Sequence, residues 1–317
     1  MKKVLITGGA GFIGSHLCDL LLKRGVIVYC LDNLITGSYE NITHLLKNRN
    51  FIFKQLDIIK PFEKEMVDEF NNLSCIFNLA SPASPVDYQN YPEETALVNS
   101  VGTYNLLQLA VKNNAKFLMA STSETYGDPK EHPQKETYWG NVNSYGPRSC
   151  YDESKRFSES LTYIFVKKYD LNARIIRIFN TFGPRMQKDD GRVVSNFINQ
   201  ALDGKPLTIY GKGSQTRSFC YVSDLVDGIY KAMFEKGTKG EVFNLGNPQE
   251  YTILDFAKKI IKLTGSKSEI VYKPLPKDDP AKRRPDISKA KRVLGWEPKV
   301  SVDEGLKKTI EYYKGIS

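Results

Sequence analysis

The 317-residue chain carries three histidines, and its five cysteines (Cys18, Cys30, Cys75, Cys150 and Cys220) are scattered, odd in number and never spaced as C-x-x-C. That pattern argues against a His/Cys metal site and for reduced, buried thiols rather than disulfides, so no metal is expected. No apolar run approaches the roughly 20 residues of a membrane span, and the first residues pass directly into strand-like sequence without a leader. A cytoplasmic protein with no membrane contact is the expectation. The net charge is +9, yet lysines and arginines are dispersed rather than clustered with aromatics, which speaks against nucleic acid. A polyanionic small molecule accounts for the charge as well. Repeats and low-complexity tracts are absent, and 41% hydrophobic with 26% charged residues suits one large core or two lobes.

What is present begins with Lys3 to Thr7, an apolar run ending in Gly8-Gly9-Ala10-Gly11-Phe12-Ile13-Gly14 and followed by an amphipathic helix to about Lys23. Glycines at 8, 11 and 14 permit a tight turn and close backbone approach, and the helix start then offers free N–H groups to a pyrophosphate. A second strand, Val26 to Leu31, ends in Asp32. A carboxylate there accepts the ribose hydroxyls of adenosine and repels a 2′-phosphate, which favours NAD over NADP. Asn33 to Gly37, including Thr36, forms a loop against the adenosine. Later strands are expected at Phe51 to Leu56, Cys75 to Leu79, Lys116 to Ala120 and Ala173 to Ile178. Their ends carry Asp57-Ile58, Leu79-Ala80-Ser81 and Ala120-Ser121-Thr122. Strands alternating with helical stretches predict an α/β fold with a doubly wound parallel (Rossmann) sheet, whose ligand lies beyond the strand C-termini. Asp57, Ser81 and Thr122 each could instead cap a turn.

A helical pattern runs from Pro92 to Val111, with Asn99 and Asn105 on an otherwise apolar face. Another begins near Ser149 and runs to about Tyr169. On it Tyr151 and Lys155 stand four residues apart and so share a face. A cation close to a phenol favours the phenolate, which would make Tyr151 a base near neutrality. Tyr and Lys recur at this spacing on ordinary helices, so the pair gains weight only from the cradle and strand ends around it. Phe179 to Arg185 reads as a turn at the crevice rim, offering Asn180, Thr181 and Arg185. The alternation then ends. We expect an NAD-binding domain over 1–180, with return segments near 215–246, and a smaller, discontinuous substrate lobe over 181–317, containing a basic, Pro-rich link from Pro274 to Pro285.

Thr7 to Gly14 together with Tyr151-x-x-x-Lys155 resembles the extended short-chain dehydrogenase/reductases, the NAD-dependent epimerase/dehydratase superfamily, over essentially the whole chain. More narrowly, Leu79 to Pro85, Ser121 to Pro129, Gly146-Pro147-Arg148, Asp190 to Phe197, Gly213 to Arg217 and Arg283 to Ile287 look like the UDP-glucuronate decarboxylases, or UDP-xylose synthases. Ser154 departs from that pattern, since the family more often has Gly there.

The resemblance implies NAD as cofactor and a UDP-sugar as substrate. Tyr151 takes the C4 hydroxyl proton, Lys155 supports it, and Thr122 bonds the same oxygen. The ketone formed at C4 is β to the carboxylate, so CO₂ can leave without a metal. Ser123, standing where dehydratase-like sequences have Asp, leaves Glu124 as the lone carboxylate there, to position the substrate or relay a proton, and Arg283 to hold the substrate carboxylate. The cofactor set implied is Gly8, Gly11, Phe12, Ile13, Gly14, Asp32, Asn33, Thr36, Gly37, Asp57, Ile58, Leu79, Ala80, Ser81, Asn99, Ala120, Tyr151 and Lys155. Toward the substrate stand Pro85, Tyr88, Asn180, Thr181, Arg185, Arg192, Val193, Tyr210, Gln215 and Arg217, with the arginines at the diphosphate and uridine end. A homodimer through the two long helices, about 92–113 and 149–169, is expected by analogy. Release of a 4-keto pentose with NADH, and 4-epimerisation, are the alternative activities.

Overall fold

In the computed structural model, which describes residues 2–275 and 282–315, the central sheet has seven parallel strands. They are β1 Lys3–Thr7, β2 Ile27–Asp32, β3 Phe51–Gln55, β4 Leu73–Asn78, β5 Lys116–Thr122, β6 Ala173–Ile178 and β7 Val242–Leu245. The spatial order is β7-β6-β5-β4-β1-β2-β3, a doubly wound arrangement extended by one strand. Near-continuous aliphatic runs suit strands covered on both faces. Alternate side chains accordingly enter separate cores: Val4, Ile6, Val28, Phe77 and Leu118 on one face, Leu5, Tyr29, Leu31, Ile76 and Phe117 on the other.

Helix α1 (Phe12–Lys23) follows the glycine turn. The pattern expected as one helix from Pro92 is α2 (Pro92–Leu97), a π-helical turn (Val98–Gly102) and α3 (Thr103–Asn113). Helix α4 (Ser149–Tyr169) packs beside this run and against β5. The fifth strand reaches two residues beyond the expected Ala120, so Ser121 and Thr122 pair in register with Arg177 and Ile178 of β6. That extension sets the depth of the site.

The later part of the chain adds small sheets. Thr216–Ser218 pairs with both Glu250–Thr252 and Lys282–Arg283, and Leu207–Tyr210 pairs with Ile270–Lys273. Positions 276–281 of the Pro-rich link lie outside the described residues. The apolar cluster of these later elements, including Phe256, Trp296, Leu306 and Tyr313, is continuous with the one under β1, β2 and β4. All five cysteines are free, and four of them are buried.

Candidate active site

The strand ends open on a crevice of about 630 Å³. One end of it is the glycine turn. Gly8 has φ +69°, and a Cβ on Gly14 would come within 2.1 Å of the Gly8 carbonyl oxygen, so the turn closes this tightly only without side chains. Gly11 caps α1 with no side-chain hydrogen bond, and no acidic residue occupies the first turn. The leading N–H groups of α1 are therefore open to an anion. Asp32 is 8% exposed, its Oδ2 accepting from the Ala10 N–H and its Oδ1 from the Leu34 N–H, both at 2.9 Å. Burial raises its pKa, and a carboxylate has lone pairs left over for two hydroxyl donors. A Cβ on Gly37 would sit 2.7 Å from Asp32 Oδ1. These residues fit the pyrophosphate and adenosine ribose of a dinucleotide. Asp57 is partly spent locally, with Oδ1 accepting from the Ile59 N–H at 3.0 Å and Oδ2 from Asn33 Nδ2 at 3.3 Å.

Midway along the crevice stand Thr122 at the end of β5 and Tyr151 and Lys155 on α4, all buried. The Thr122 and Tyr151 hydroxyls are hydrogen-bonded. The expected low-pKa phenol is not what the structure holds. Burial pushes Tyr151 up to about 12, with the Thr122 bond opposing it in part. Lys155 Nζ donates to the Ala120 carbonyl at 3.0 Å and lies 5.9 Å from the Tyr151 ring centroid. Burial pulls Lys155 down to about 7, against the attraction of Glu159. The physical reason is that both groups share one dry pocket, where desolvation disfavours phenolate and ammonium alike.

Beyond them Glu124 is clamped by guanidiniums. Its Oε2 accepts from Arg148 Nη2 and, at 3.3 Å, from Arg283 Nη2. Burial works to raise the Glu124 pKa, but Arg283, Arg148 and Arg217 outweigh it and bring it to about 2. Glu124 is thus ionised throughout the neutral range. Asp152 behaves oppositely: burial first, then the charge of Glu124, push it up to about 7. Its Oδ1 has no hydrogen-bond partner among the described residues, and Arg148 Nε is 3.9 Å from Oδ2.

A raised carboxyl favours the fold only while protonated. That contribution is complete below the ordinary carboxylate range of about 4 and is lost as pH rises through about 7. Asp152→Asn removes the dependence. Relative to the variant, the wild type should lose at least about 2 °C of melting temperature between pH 4.5 and 7.5. A constant gap in calorimetry across that range would refute the assignment.

The family model described as GDP-mannose 4,6 dehydratase matches residues 5–309. A UDP-glucuronic acid decarboxylase of Danio rerio is 52% identical over 98% of this chain and 72% of its own length. One from Arabidopsis thaliana is 50% identical over 96% of this chain and 86% of its own. The chain belongs to the UDP-glucuronic acid decarboxylase family. A solved structure of UDP-glucuronic acid 4-epimerase from Bacillus cereus, in complex with UDP-glucuronic acid and NAD, is 30% identical with a TM-score of 0.90, covering 99% of this chain and 100% of that one.

Nearly every residue that the family pattern implied lines the one crevice. Gly8, Gly11, Phe12, Ile13, Gly14, Asp32, Asn33, Thr36, Gly37, Asp57, Ile58, Leu79, Ala80, Ser81 and Ala120 line it with Thr122, Ser123, Glu124, Tyr151 and Lys155, as do Pro85, Tyr88, Asn180, Thr181, Arg185, Arg192, Val193, Tyr210, Gln215 and Arg217. Two residues stand behind its wall. Arg283 is 1% exposed and donates to the Ser123 and Gly127 carbonyls as well as to Glu124, so it braces the carboxylate from outside the crevice instead of facing a ligand. Asn99 lies on the π-helical turn and donates to Ser81 and Ser154, each at 3.1 Å, rather than facing the crevice. Arg185, expected toward the substrate, pairs at 2.8 Å with Asp19 of α1. Arg192 is held in two contacts of 2.6 Å by Asp190.

The guanidinium on the crevice wall against Glu124 is Arg148, to which the sequence reading attached no role. Its signal was its place three residues before Tyr151, at the start of the same helix. Ser154, the departure from the family pattern, adds contacts: its Oγ donates to the Cys150 carbonyl at 2.5 Å and accepts from Asn99 Nδ2.

Proposed function

We propose that this chain converts UDP-glucuronate to UDP-xylose and CO₂ with a bound, recycled NAD. The observation that carries the reading is the ionised Glu124 among Arg148, Arg217 and Arg283, beside the Tyr151–Thr122 hydroxyl pair. Three guanidiniums against one carboxylate leave net positive charge where an acidic sugar would place its C6 carboxylate, next to the groups that grip its C4 oxygen. The identities of about half to decarboxylases of two kingdoms support the same reaction.

The cradle, Asp32 and the Asn33–Gly37 loop hold the dinucleotide, with Lys155 toward its nicotinamide end. When bound, that group supplies reversible oxidation at C4. The Tyr151 phenolate, which the positive charge of Lys155 and of the bound dinucleotide would favour over the buried neutral phenol, receives the C4 hydroxyl proton at Oη, and Thr122 Oγ1 holds the same oxygen. Arg148 and Arg217 orient the carboxylate. As the C5–C6 bond breaks, its electron pair moves toward the C4 oxygen, and Tyr151 and Thr122 meet the developing charge; one such donor is worth about 3 kcal/mol. A carboxylate becomes CO₂ and a C–H bond, so each turnover takes up one proton at C5. Glu124, ionised at rest, serves to place the substrate or to pass that proton on. Arg283 positions Glu124 from behind.

The test is purified protein with UDP-glucuronate and added NAD⁺. Stoichiometric CO₂ without net absorbance at 340 nm supports recycling. Absorbance rising with CO₂ would mean that the keto pentose and NADH leave, and substrate consumption without CO₂ would overturn the reading.

A homodimer is part of this proposal. Val101 and Tyr104 on the first helical run and Phe157 and Ile164 on α4 are 40%, 44%, 50% and 46% exposed, and Phe157 and Ile164 lie seven residues apart on one face. A second copy laying the same helices across them would bury this stripe. Phe157→Glu/Ile164→Glu should sediment as a monomer while the wild type sediments as a dimer. Free cysteines support a reducing, cytoplasmic setting, and no helix among the described residues is long and apolar enough to cross a membrane.

A further inference from the structure

Glu159 lies one helical turn beyond Lys155 on α4, and three donors converge on its carboxylate. Ser121 Oγ donates to Oε1 at 2.6 Å, Arg177 Nε to Oε1 at 2.9 Å and Arg177 Nη2 to Oε2 at 2.7 Å. Ser121 and Arg177 are register partners across β5 and β6, so one carboxylate ties α4 to two adjacent strands at the same level. Ser121 also stands between the two residues that touch the dyad: the Ala120 carbonyl accepts from Lys155, and the Thr122 hydroxyl bonds Tyr151. We propose that Glu159 is a positioning residue, which pins the end of β5 to α4 and supplies the fixed negative charge that keeps Lys155 an ammonium. The proposal rests on the reading of Tyr151 and Lys155 as the proton-transfer pair.

Two separate features support it. Three hydrogen bonds, two of them from one guanidinium, fix the Glu159 carboxylate in place. The groups facing Lys155 are otherwise unable to supply that charge. Along α4 these are Glu159 and the neutral phenol of Tyr151; from β5 only a backbone carbonyl reaches Nζ. From β6, Arg177 is itself a cation, bonded on its far side to the Tyr126 phenol at 3.0 Å. Glu159 is accordingly the attraction that opposes the effect of burial on Lys155.

The experiment is the pH profile of kcat/KM for the NAD-loaded enzyme on UDP-glucuronate. Lys155 is needed protonated, so its titration sets the alkaline limb, and activity is lost as pH rises through it. Glu159→Gln removes the anion and leaves Arg177 as an unbalanced cation. The alkaline limb should move down by at least about one unit, a loss of about fivefold at the wild-type midpoint that approaches about tenfold above it, while Glu159→Asp, which keeps the charge, leaves the limb in place even if kcat falls. Should Glu159→Gln alone fail to fold, Glu159→Gln/Arg177→Gln reads the same downward move, made smaller by loss of the cation. A limb that coincides with the wild type in the neutral variant, or moves equally in both, overturns the proposal. Lys155→Ala is the control on the reading beneath it. If that variant is inactive while the Glu159 profiles coincide, only the role of Glu159 falls; an active Lys155→Ala removes the dyad reading and the inference with it.

Discussion

Tyr151→Phe should lower kcat for CO₂ release by about 10³-fold, the middle of the range for losing a proton-transfer group, with NAD affinity unchanged. In the proposed mechanism the Tyr151 oxygen removes the C4 proton, and Thr122, hydrogen-bonded to it, has no base of its own. Burial, which pushes the Tyr151 pKa up to about 12, sharpens the expectation. Burial that opposes a phenolate also makes the site dependent on the charge that ligands and Lys155 bring to it. The variant should produce no absorbance at 340 nm in a single turnover, since oxidation fails before decarboxylation begins. A tenfold loss or less would mean that the C4 proton leaves by another route.

Glu124→Gln divides the reaction at a later point. Its ionised carboxylate lies among Arg148, Arg283 and Arg217, and neutralising it loosens Arg148 on the crevice wall. CO₂ release should fall by about 10² to 10³-fold, as for loss of one preorganised electrostatic contact. Oxidation at C4 should persist, so absorbance at 340 nm appears on mixing and decays slowly. Because Glu124 titrates near pH 2, the wild-type profile should show no acidic limb from it above about pH 4. Arg148→Ala should give the same split. Loss of oxidation and decarboxylation together in Glu124→Gln would place this carboxylate with Tyr151 instead.

The cradle was legible in the sequence because its chemistry is local: glycine at 8, 11 and 14 answers a steric demand of one turn, and Asp32 stands at the end of the next apolar run. Strand ends converge for a topological reason, so Thr122 and Asn180 could be gathered on one crevice from the sequence, while Glu124 came with the family resemblance. What escaped is tertiary. Asn99, on the π-helical turn Val98–Gly102, is taken up by Ser81 and Ser154, partners that spacing along one helix does not show. Arg283 and Arg148 both carry a charge that suits a carboxylate, and only packing decides that Arg148 lines the crevice while Arg283 braces from behind. The raised pKa of Tyr151 follows from complete burial of a pair that spacing alone presents as a phenol beside a cation. Glu159 gave no signal, since its partners Ser121 and Arg177 lie on two strands 38 and 18 residues away.

The most direct measurement is NMR of the products formed from UDP-glucuronate labelled with ¹³C throughout the sugar, run in D₂O. The account predicts UDP-xylose and labelled CO₂ in equal amounts, with one deuterium at C5 from the proton taken up after the carboxylate departs. UDP-galacturonate with all six labelled carbons retained would contradict it.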